Sequence, residues 1–458
     1  MPAIRQTTGQ RVAHPLATLV LVWTGLFMTT LDASIVNIGL PTIARAFATP
    51  LSGTIEWVII GYLVVTAALL LTVGRLSDMV GRGPIWMTGL ALFTLASILC
   101  GAAPSVHLLI MARLLQGAGA ALLLATGTAM LTDAVPPDQR GRALGLGAVA
   151  IALGTSVGPT LGGLITEHWS WRWIFYVNVP VGLVALVAAR RFLPRGGGRS
   201  QGRFDPVGAL LLGVGVAALT LGLSFGGEWG WASARLLAAL AIGVVALTGA
   251  VVAERHVSNP IIDLKLFRDR VFSSAIASMT LSMMALFSVG FLLPFYFEEL
   301  RGFSTAQSGR LLTPLPLMLA IVAPMAGAAS DRRGSRLIAP LGLAINAVAL
   351  FLLARLDITS STWDIVWRLG LAGVGQGLFQ APNTRALMDA APLTAQGAAS
   401  GLLATSRIAG QALSVAVAGA VFLGLGGSAG AALLALKASG AHLSGPTVER
   451  LETTFLHG

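Results

Sequence analysis

Charge is what this 458-residue chain has least of. Asp, Glu, Lys and Arg together make up 11% of it, against 55% apolar residues. A soluble domain of this size needs far more charge to cover its surface, which excludes a water-soluble enzyme or binding module. Cysteine is almost missing. Cys100 stands alone, so neither a disulfide framework nor a cysteine metal site can form. The six histidines (His14, His107, His168, His256, His442 and His457) fall in loops, tails or span ends. No helix presents a histidine pair for haem or metal, which argues against a respiratory or di-metal membrane enzyme. Lysine is scarce too, 2 against 28 arginines, and with abundant Ala and Gly this points to a high-GC bacterial source. The net charge of +11 is not a nucleic-acid footprint: the arginines sit in short loops, without a basic face or aromatic interleaving.

What the chain does have is runs of about 20 apolar residues, each long enough to cross a bilayer core of roughly 30 Å. Spans are predicted near 17–40, 56–73, 84–103, 106–132, 142–166, 172–193, 206–225, 234–253, 271–296, 309–329, 337–355, 365–388 and 398–424. The first follows a short tail with Arg5 and Arg11 and no small-residue cleavage site, so it is expected to be retained. Nineteen basic residues fall on the side of the N-terminus and nine on the other, which predicts a cytoplasmic N-terminus in a bacterial inner membrane. After residue 425 no run is long enough to cross again. A fourteenth span would complete a 6+2+6 arrangement, and the chain is expected to stop just before it.

Three segments recur at near-constant offset. Gly74, Asp78 and Gly81 match Gly327, Asp331 and Gly334 at 253; Arg113-Leu114 match Arg368-Leu369 at 255; Gly141, Gly145 and Gly154 match Gly397, Gly401 and Gly410 at 256. Duplicated halves produce such agreement. The expected organisation is an N-terminal six-helix half over 1–193, a linker with two extra helices over 194–254, and a C-terminal half over 255–458. Residues 194–205 read as a solvated linker.

Residues 154–163, GTSVGPTLGG, stand out inside an apolar stretch. Gly154, Gly158 and Gly162 lie on one helix face and clear it of side chains, so a neighbouring backbone can approach. Pro159 lacks an N–H and bends the same helix, and Gly163 follows. A static packing face and a moving seal both fit these residues.

With these motifs in view the chain resembles the major facilitator superfamily, and within it the fourteen-span drug:proton antiporters. The resemblance rests on LDASIVNIGLP (31–41), GRLSDMVGRGP (74–84), RLLQGAGAA (113–121), the string at 154–163, SWRWIFYVNVPVG (170–182), FDPVGALLL (204–212) and EWGW (228–231), and it runs from the first span to the thirteenth. It implies an all-α polytopic membrane protein with the major facilitator fold, two six-helix halves with two helices inserted between them. Met79 and Gly83 depart from the loop pattern, where basic residues are common in the superfamily. The absent last span is the larger departure.

Asp32 is the only carboxylate deep within a span of the first half. An acid in hydrocarbon costs several kcal/mol and is a functional candidate by default. Counting along the helices places Asp32 and Arg113 at a similar depth, roughly 12–13 Å from the outer surface, which permits pairing. A structural ion-pair partner is the plainer alternative. The resemblance implies that Asp32 takes part in proton or substrate coupling and that Arg113 tunes it. It further implies that Asp78, Arg82 and Asp133 form a latch at the cytoplasmic edge, with Asp331 as its counterpart beside Arg332, Arg333 and Arg336; ordinary loop charges are the alternative. Arg407, well inside span 13, needs a cavity or a carbonyl cluster. Asn37, Gln116, Gln376, Gln380 and Asn383 could line a central site or act as interhelical glue. Phe287, Phe291, Phe295 and Tyr296 could form an aromatic wall or face lipid.

The function expected from this reading is export of lipophilic or amphipathic small molecules in exchange for protons, by alternating access. The proton is the coupling ion, no cofactor is expected, and the protein is expected to act as a monomer in the bilayer. Export of one dedicated metabolite or antibiotic is the close alternative; a proton-coupled importer or a non-transporting sensor is a further one.

Overall fold

The computed structural model describes residues 14–49, 53–193, 204–230, 232–254, 257, 260–297, 301–303, 305–357 and 359–424. Thirteen long helices, numbered here in chain order, correspond one to one with the predicted spans. They are α1 (Pro15–Ala46), α2 (Trp57–Val80), α3 (Arg82–Ala102), α4 (Val106–Ala134), α5 (Arg140–His168), α6 (Asn178–Phe192), α7 (Pro206–Trp229), α8 (Ala234–Glu254), α9 (Arg270–Phe295), α10 (Pro314–Arg333), α11 (Ser335–Leu353), α12 (Thr362–Ala390) and α13 (Gln396–Gly424). Residues 425–458, on which the expectation of a missing fourteenth span rests, lie outside the described residues, as does most of the 194–205 linker.

Eleven helices among the described residues are long and apolar enough to cross a membrane. α12 is not among them because its middle carries Gln376, Gln380, Asn383 and Thr384. All four are buried, so this helix is solvated by other helices and not by lipid. Two predicted spans are broken. A short helix, Trp173–Tyr176, precedes α6, and another, Thr305–Leu312, precedes α10. Pro180 and Pro314 lack the N–H that would carry the preceding turn onward.

Helix starts are set by side chains that accept the free N–H groups of the first turn. Asp205 accepts from Val207 and Gly208 at α7, Asp269 from Val271 and Phe272 at α9, and Ser361 with Asp364 forms a capping box at α12. The α2–α3 and α10–α11 connections each turn on one glycine with positive φ, Gly81 at 113° and Gly334 at 77°. Such backbone angles favour glycine, which is why it recurs at this point of both loops. Glu254, buried at the end of α8, accepts the N–H of Ile262 at 3.2 Å and pins the connection to α9.

The packing repeats with the sequence. α1 lies on α5 as α9 lies on α13; α2 and α3 lie on α4 as α10 and α11 lie on α12. α7 and α8 pack on each other, and α7 also touches α2 and α13. α1–α6 meet α9–α13 chiefly through two crossings related by the same repeat, α5 on α10 and α2 on α13, with α4 also touching α13 and α5 touching α12. At each crossing the contact is backbone on backbone. A Cβ on Gly145 would stand 2.5 Å from the Ala323 carbonyl oxygen, and one on Gly401 would stand 2.6 Å from that of Leu70. Gly141 lies against Gly327, and Gly74 against Gly397. These contacts occupy the first half of α5 and of α13, toward the end of the bundle that carries the α2–α3, α4–α5, α10–α11 and α12–α13 loops. We refer to it as the Arg-rich end.

The GTSVGPTLGG stripe does something different. Gly154 and Gly158 face Thr30, Ser34 and Ile35 of α1, and Gly162 faces Ile35. Ser34 donates to the Gly154 carbonyl at 3.0 Å. In this conformation it is a packing face that holds α5 on α1 within the first six helices, while the α5–α10 crossing uses Gly141, Gly145, Ala148 and Ala152. Clearing a helix face specifies close approach but not which neighbour approaches. Pro159 is exposed, and nothing lies within 4 Å of a Cβ built on Gly163.

A Cβ on Gly154 would stand 2.8 Å from the Phe27 carbonyl oxygen and 2.9 Å from the Leu31 amide nitrogen, backbone atoms that cannot rotate away. Gly154→Val is expected to force α1 from α5 and cost about 1–3 kcal/mol, seen as a lowered Tm of the detergent-purified protein. Gly163→Val should stay within about 0.5 kcal/mol of the parent. Equal Tm values for the two variants would contradict this placement of the stripe.

Candidate functional site

Five of the first six helices send a polar side chain to one point. Asp32 comes from α1, Tyr62 from α2, Ser97 and Cys100 from α3, Arg113 and Gln116 from α4, and Asn178 from the first turn of α6. Asp32 has no accessible surface and Arg113 has 1%. One carboxylate oxygen, Oδ2, accepts from Arg113 Nη1 at 2.6 Å. The other, Oδ1, accepts from Gln116 Nε2 at 2.8 Å and from Asn178 Nδ2 at 3.0 Å. Arg113 is held in turn: its Nε donates to the Val58 carbonyl at 2.8 Å and its Nη1 also to Gln116 Oε1 at 2.6 Å. The guanidinium lies over the Tyr62 ring at 4.3 Å from the centroid. Gln116 Nε2 donates to Ser97 Oγ at 2.9 Å.

A buried ion pair is costly unless its remaining donors and acceptors are met, and here nearly all are. The pair is closed from the end opposite the Arg-rich one by the 170–182 segment. Arg172 donates to the Gly101 and Ala103 carbonyls at 2.8 and 2.7 Å and stacks on Trp171, while Phe175 comes within 5.8 Å of the Arg113 guanidinium carbon. No molecule in a pathway can touch Asp32 in this conformation. Asn178 is the partner that sequence reasoning missed. It lies inside a quoted segment, but only the helix break before α6 turns it toward Asp32.

At the Arg-rich end a second constellation joins the two helix sets. Asp78, at the end of α2, accepts the backbone N–H of Gly397 at 2.8 Å and of Ala398 at 3.0 Å, the first turn of α13. Asp331, at the end of α10, accepts those of Gly141 at 2.7 Å and Arg142 at 3.0 Å, the first turn of α5. Each loop acid thus caps a helix of the other set, where free N–H groups and the positive end of the helix dipole favour an anion. Each acid also has an arginine. Arg82 bonds Asp78 at 3.1 Å, pairs with Asp133, and reaches the Leu393 carbonyl. Arg385 bonds Asp331 at 3.2 Å, Asp389 at 3.3 Å, and the Pro137 carbonyl. Asp133 and Asp389, and Pro137 and Leu393, stand 256 residues apart, so the acids and carbonyls of the arrangement are duplicated.

One expectation fails here. The basic partner of Asp331 is Arg385 from α12, and not Arg332, Arg333 or Arg336. The position matching Arg82 is Ser335, so the repeat draws its guanidinium from a different helix to meet the same two acids. Arg140 adds an ion pair to Asp389 across the two sets at 2.7 Å.

The remaining candidates scatter. Gln376 accepts from Ser282 at 2.8 Å, and Asn383 donates to the Ala275 carbonyl at 2.9 Å, tying α12 to α9. Gln380 is buried in α12, and Asn37 is exposed on α1. Phe287 is exposed, whereas Tyr296 is buried and donates to the Asp357 carbonyl at 2.5 Å. Tyr296 follows directly on the end of α9, nine residues after Phe287; one is buried and the other exposed, so they share no wall. The side chains of Phe291 and Phe295 lie outside the described residues. Among the described residues no cluster of three metal-ligating side chains occurs.

The fold and motifs agree with what the chain is similar to. The family model for the Major Facilitator Superfamily matches residues 22–415. The multidrug resistance protein Stp of Mycobacterium tuberculosis is 36% identical over 407 residues, covering 89% of this chain and 75% of that protein. The tetracenomycin C resistance and export protein of Streptomyces glaucescens is 32% identical over 412 residues, 89% of this chain and 76% of that protein. Among solved structures, the human organic anion transporter MFSD10 shares the fold with a TM-score of 0.62 at 18% identity, over 89% of this chain and 94% of that one. The chain belongs to the major facilitator superfamily, a family of membrane transporters and not of enzymes, and the relatives it matches at this level of identity include multidrug resistance and export proteins.

Proposed function

We propose that this protein exports lipophilic or amphipathic small molecules across a bacterial inner membrane in exchange for protons. The observation that carries the reading is the sealed Asp32–Arg113 pair: a charge buried at mid-helix, held by four helices at once, costs stability that a static scaffold has no need to spend. The N-terminus and the Arg-rich end face the cytoplasm in this reading. Residues 1–193 and 255–458 act as the two moving halves, with 194–254 bridging them.

Protonation of Asp32 removes the acceptor shared by Arg113, Gln116 and Asn178, and the network must rearrange. α1 carries that change to α5 because the Gly154–Gly158 stripe and the Ser34 bond make the two helices one unit. α5 in turn begins at the Asp331 cap, so loading a proton at the buried pair biases the contact that holds the Arg-rich end shut. The resistance proteins to which the chain is similar support export over import. A relative named for tetracenomycin C keeps the second reading open, export of one dedicated metabolite.

Purified protein in proteoliposomes with an imposed pH gradient tests this, using lipophilic cations and neutral antibiotics as a panel. Substrate should accumulate in the acidic compartment, and collapsing the gradient should stop it. Movement in the same direction as the protons would replace export with import, and no gradient-dependent flux of any compound would remove the coupling reading.

A further inference from the structure

Among the described residues the membrane interior holds one cation that the Asp32 network does not account for. Arg407 lies about 16 Å along α13 from its start, near the middle of the membrane. Ser400 and Ser414, seven residues away on either side and only about 20° off in angle, are both fully buried, so this face of α13 looks into the bundle and not toward lipid. Neighbouring angles are occupied: Ala404 and Ile408 pack against α2 and α4, and Gly410 rests on Thr280 and Met283 of α9. Arg407 Nε is buried and has no hydrogen-bond partner, and no charged side chain among the described residues acts on the guanidinium.

Carboxylates are missing from the places that could answer it. The described acids of α10 and α12 (Asp331, Asp364 and Asp389) stand at helix ends, where each already has partners. Asp32, the one mid-membrane carboxylate of the first half, is spent on Arg113 and sealed. Three more buried, uncharged groups of this half with hydrogen to donate also lack partners: Ser400 Oγ on the same face of α13, and Gln376 Nε2 and Thr384 Oγ1 on α12. The interior of this half therefore offers a net positive charge and spare donors, with no acid to balance them. A guanidinium in that position costs several kcal/mol unless an anion meets it during the cycle.

We infer that Arg407 recognises an acidic group on the transported molecule, so that the central pathway takes organic anions and zwitterions in preference to lipophilic cations. The inference rests on the transporter reading above and narrows its substrate class.

Three fluorescent probes on one skeleton test it: 1-pyrenebutyrate, its methyl ester, and the matching pyrenebutyl-trimethylammonium cation. Binding to the purified protein in lipid nanodiscs is measured without a pH gradient. The carboxylate is expected to bind at least about tenfold more tightly than the ester, as a charge-assisted hydrogen bond to a desolvated guanidinium gives. Arg407→Gln should bring the two within about twofold, and Arg407→Lys should keep most of the preference. Tightest binding of the cation by the parent protein, or an undiminished carboxylate preference in Arg407→Gln, overturns the inference. If Arg407→Gln does not fold, Arg407→Lys decides: loss of the preference with the charge retained also overturns it. Flux of the same probes in proteoliposomes separates the two readings. Gradient-driven movement of any probe against the protons supports export whatever its charge, whereas a carboxylate preference that depends on Arg407 without any flux leaves recognition standing and removes export.

Discussion

Asp32→Asn is expected to abolish pH-driven transport while the protein still binds its substrate. Asparagine keeps the shape and can accept from Arg113, but it carries no charge, so the guanidinium is left buried and unbalanced. Breaking a buried pair in this way costs about 3–5 kcal/mol, a shift in state populations of more than roughly 100-fold. The loss has two parts that a single variant cannot separate, instability and the missing proton. The double variant Asp32→Asn/Arg113→Gln separates them. With both charges gone, Gln116 and Asn178 still have polar partners, and much of the stability should return, as a positive interaction in the double-mutant cycle. Coupling should not return, because no carboxylate remains at the site. The measurements are Tm for the cycle and substrate flux against imposed ΔpH for each member. Undiminished gradient-driven flux in Asp32→Asn, or recovery of coupling in the double variant, would remove Asp32 from the proton path.

The second large effect is expected at the Arg-rich end. Asp78 binds two backbone N–H groups of α13 with its two oxygens, and Asp331 does the same for α5. An asparagine in either place presents its NH2 to one of those N–H groups and gives up the attraction to the helix dipole and to the arginine. Hydrogen bonds to a charged group contribute about 1.5–3 kcal/mol, so losing both latches approaches the free energy that separates two conformations of a transporter. Asp78→Asn/Asp331→Asn should open this end. The chain's single cysteine makes the readout clean, since Cys100 is buried on α3. Ser400→Cys places a thiol at a fully buried site on α13 beside the crossing. In the parent it should react slowly with a membrane-impermeant maleimide applied from the Arg-rich side, and in the double latch variant at least about tenfold faster. Equal labelling rates would mean that the glycine crossings alone hold the end closed.

Sequence patterning settled a great deal of this. Thirteen apolar runs became thirteen long helices because backbone groups in lipid must be satisfied within the segment, which leaves a helix as the one solution for a run of that length. The repeat, read from three glycine- and arginine-bearing segments, reappears as paired helix contacts and paired crossings. The motif acids Asp32, Asp78 and Asp331 could be picked out because a carboxylate in or beside an apolar run is rare enough to need a reason.

Partners could not be read in the same way, since they depend on which surfaces meet. Asn178 reaches Asp32 across 146 residues of chain, through a helix break that only places it correctly once α6 has packed. Arg385 replaces the arginine that the repeat leaves out at Ser335, because a guanidinium on the neighbouring helix can reach the same two acids. The glycine stripe of α5 turned out to bind α1 and not α10, and Arg407 is unbalanced only because no acid was brought to it. Hydropathy, glycine spacing and isolated charges are local quantities, so the sequence alone determined the described helices and the residues worth watching. Contact is long-range, decided by the rotation and crossing of packed helices. The tertiary structure therefore decided which acids Arg82, Arg113 and Arg385 meet, and that no described acid meets Arg407.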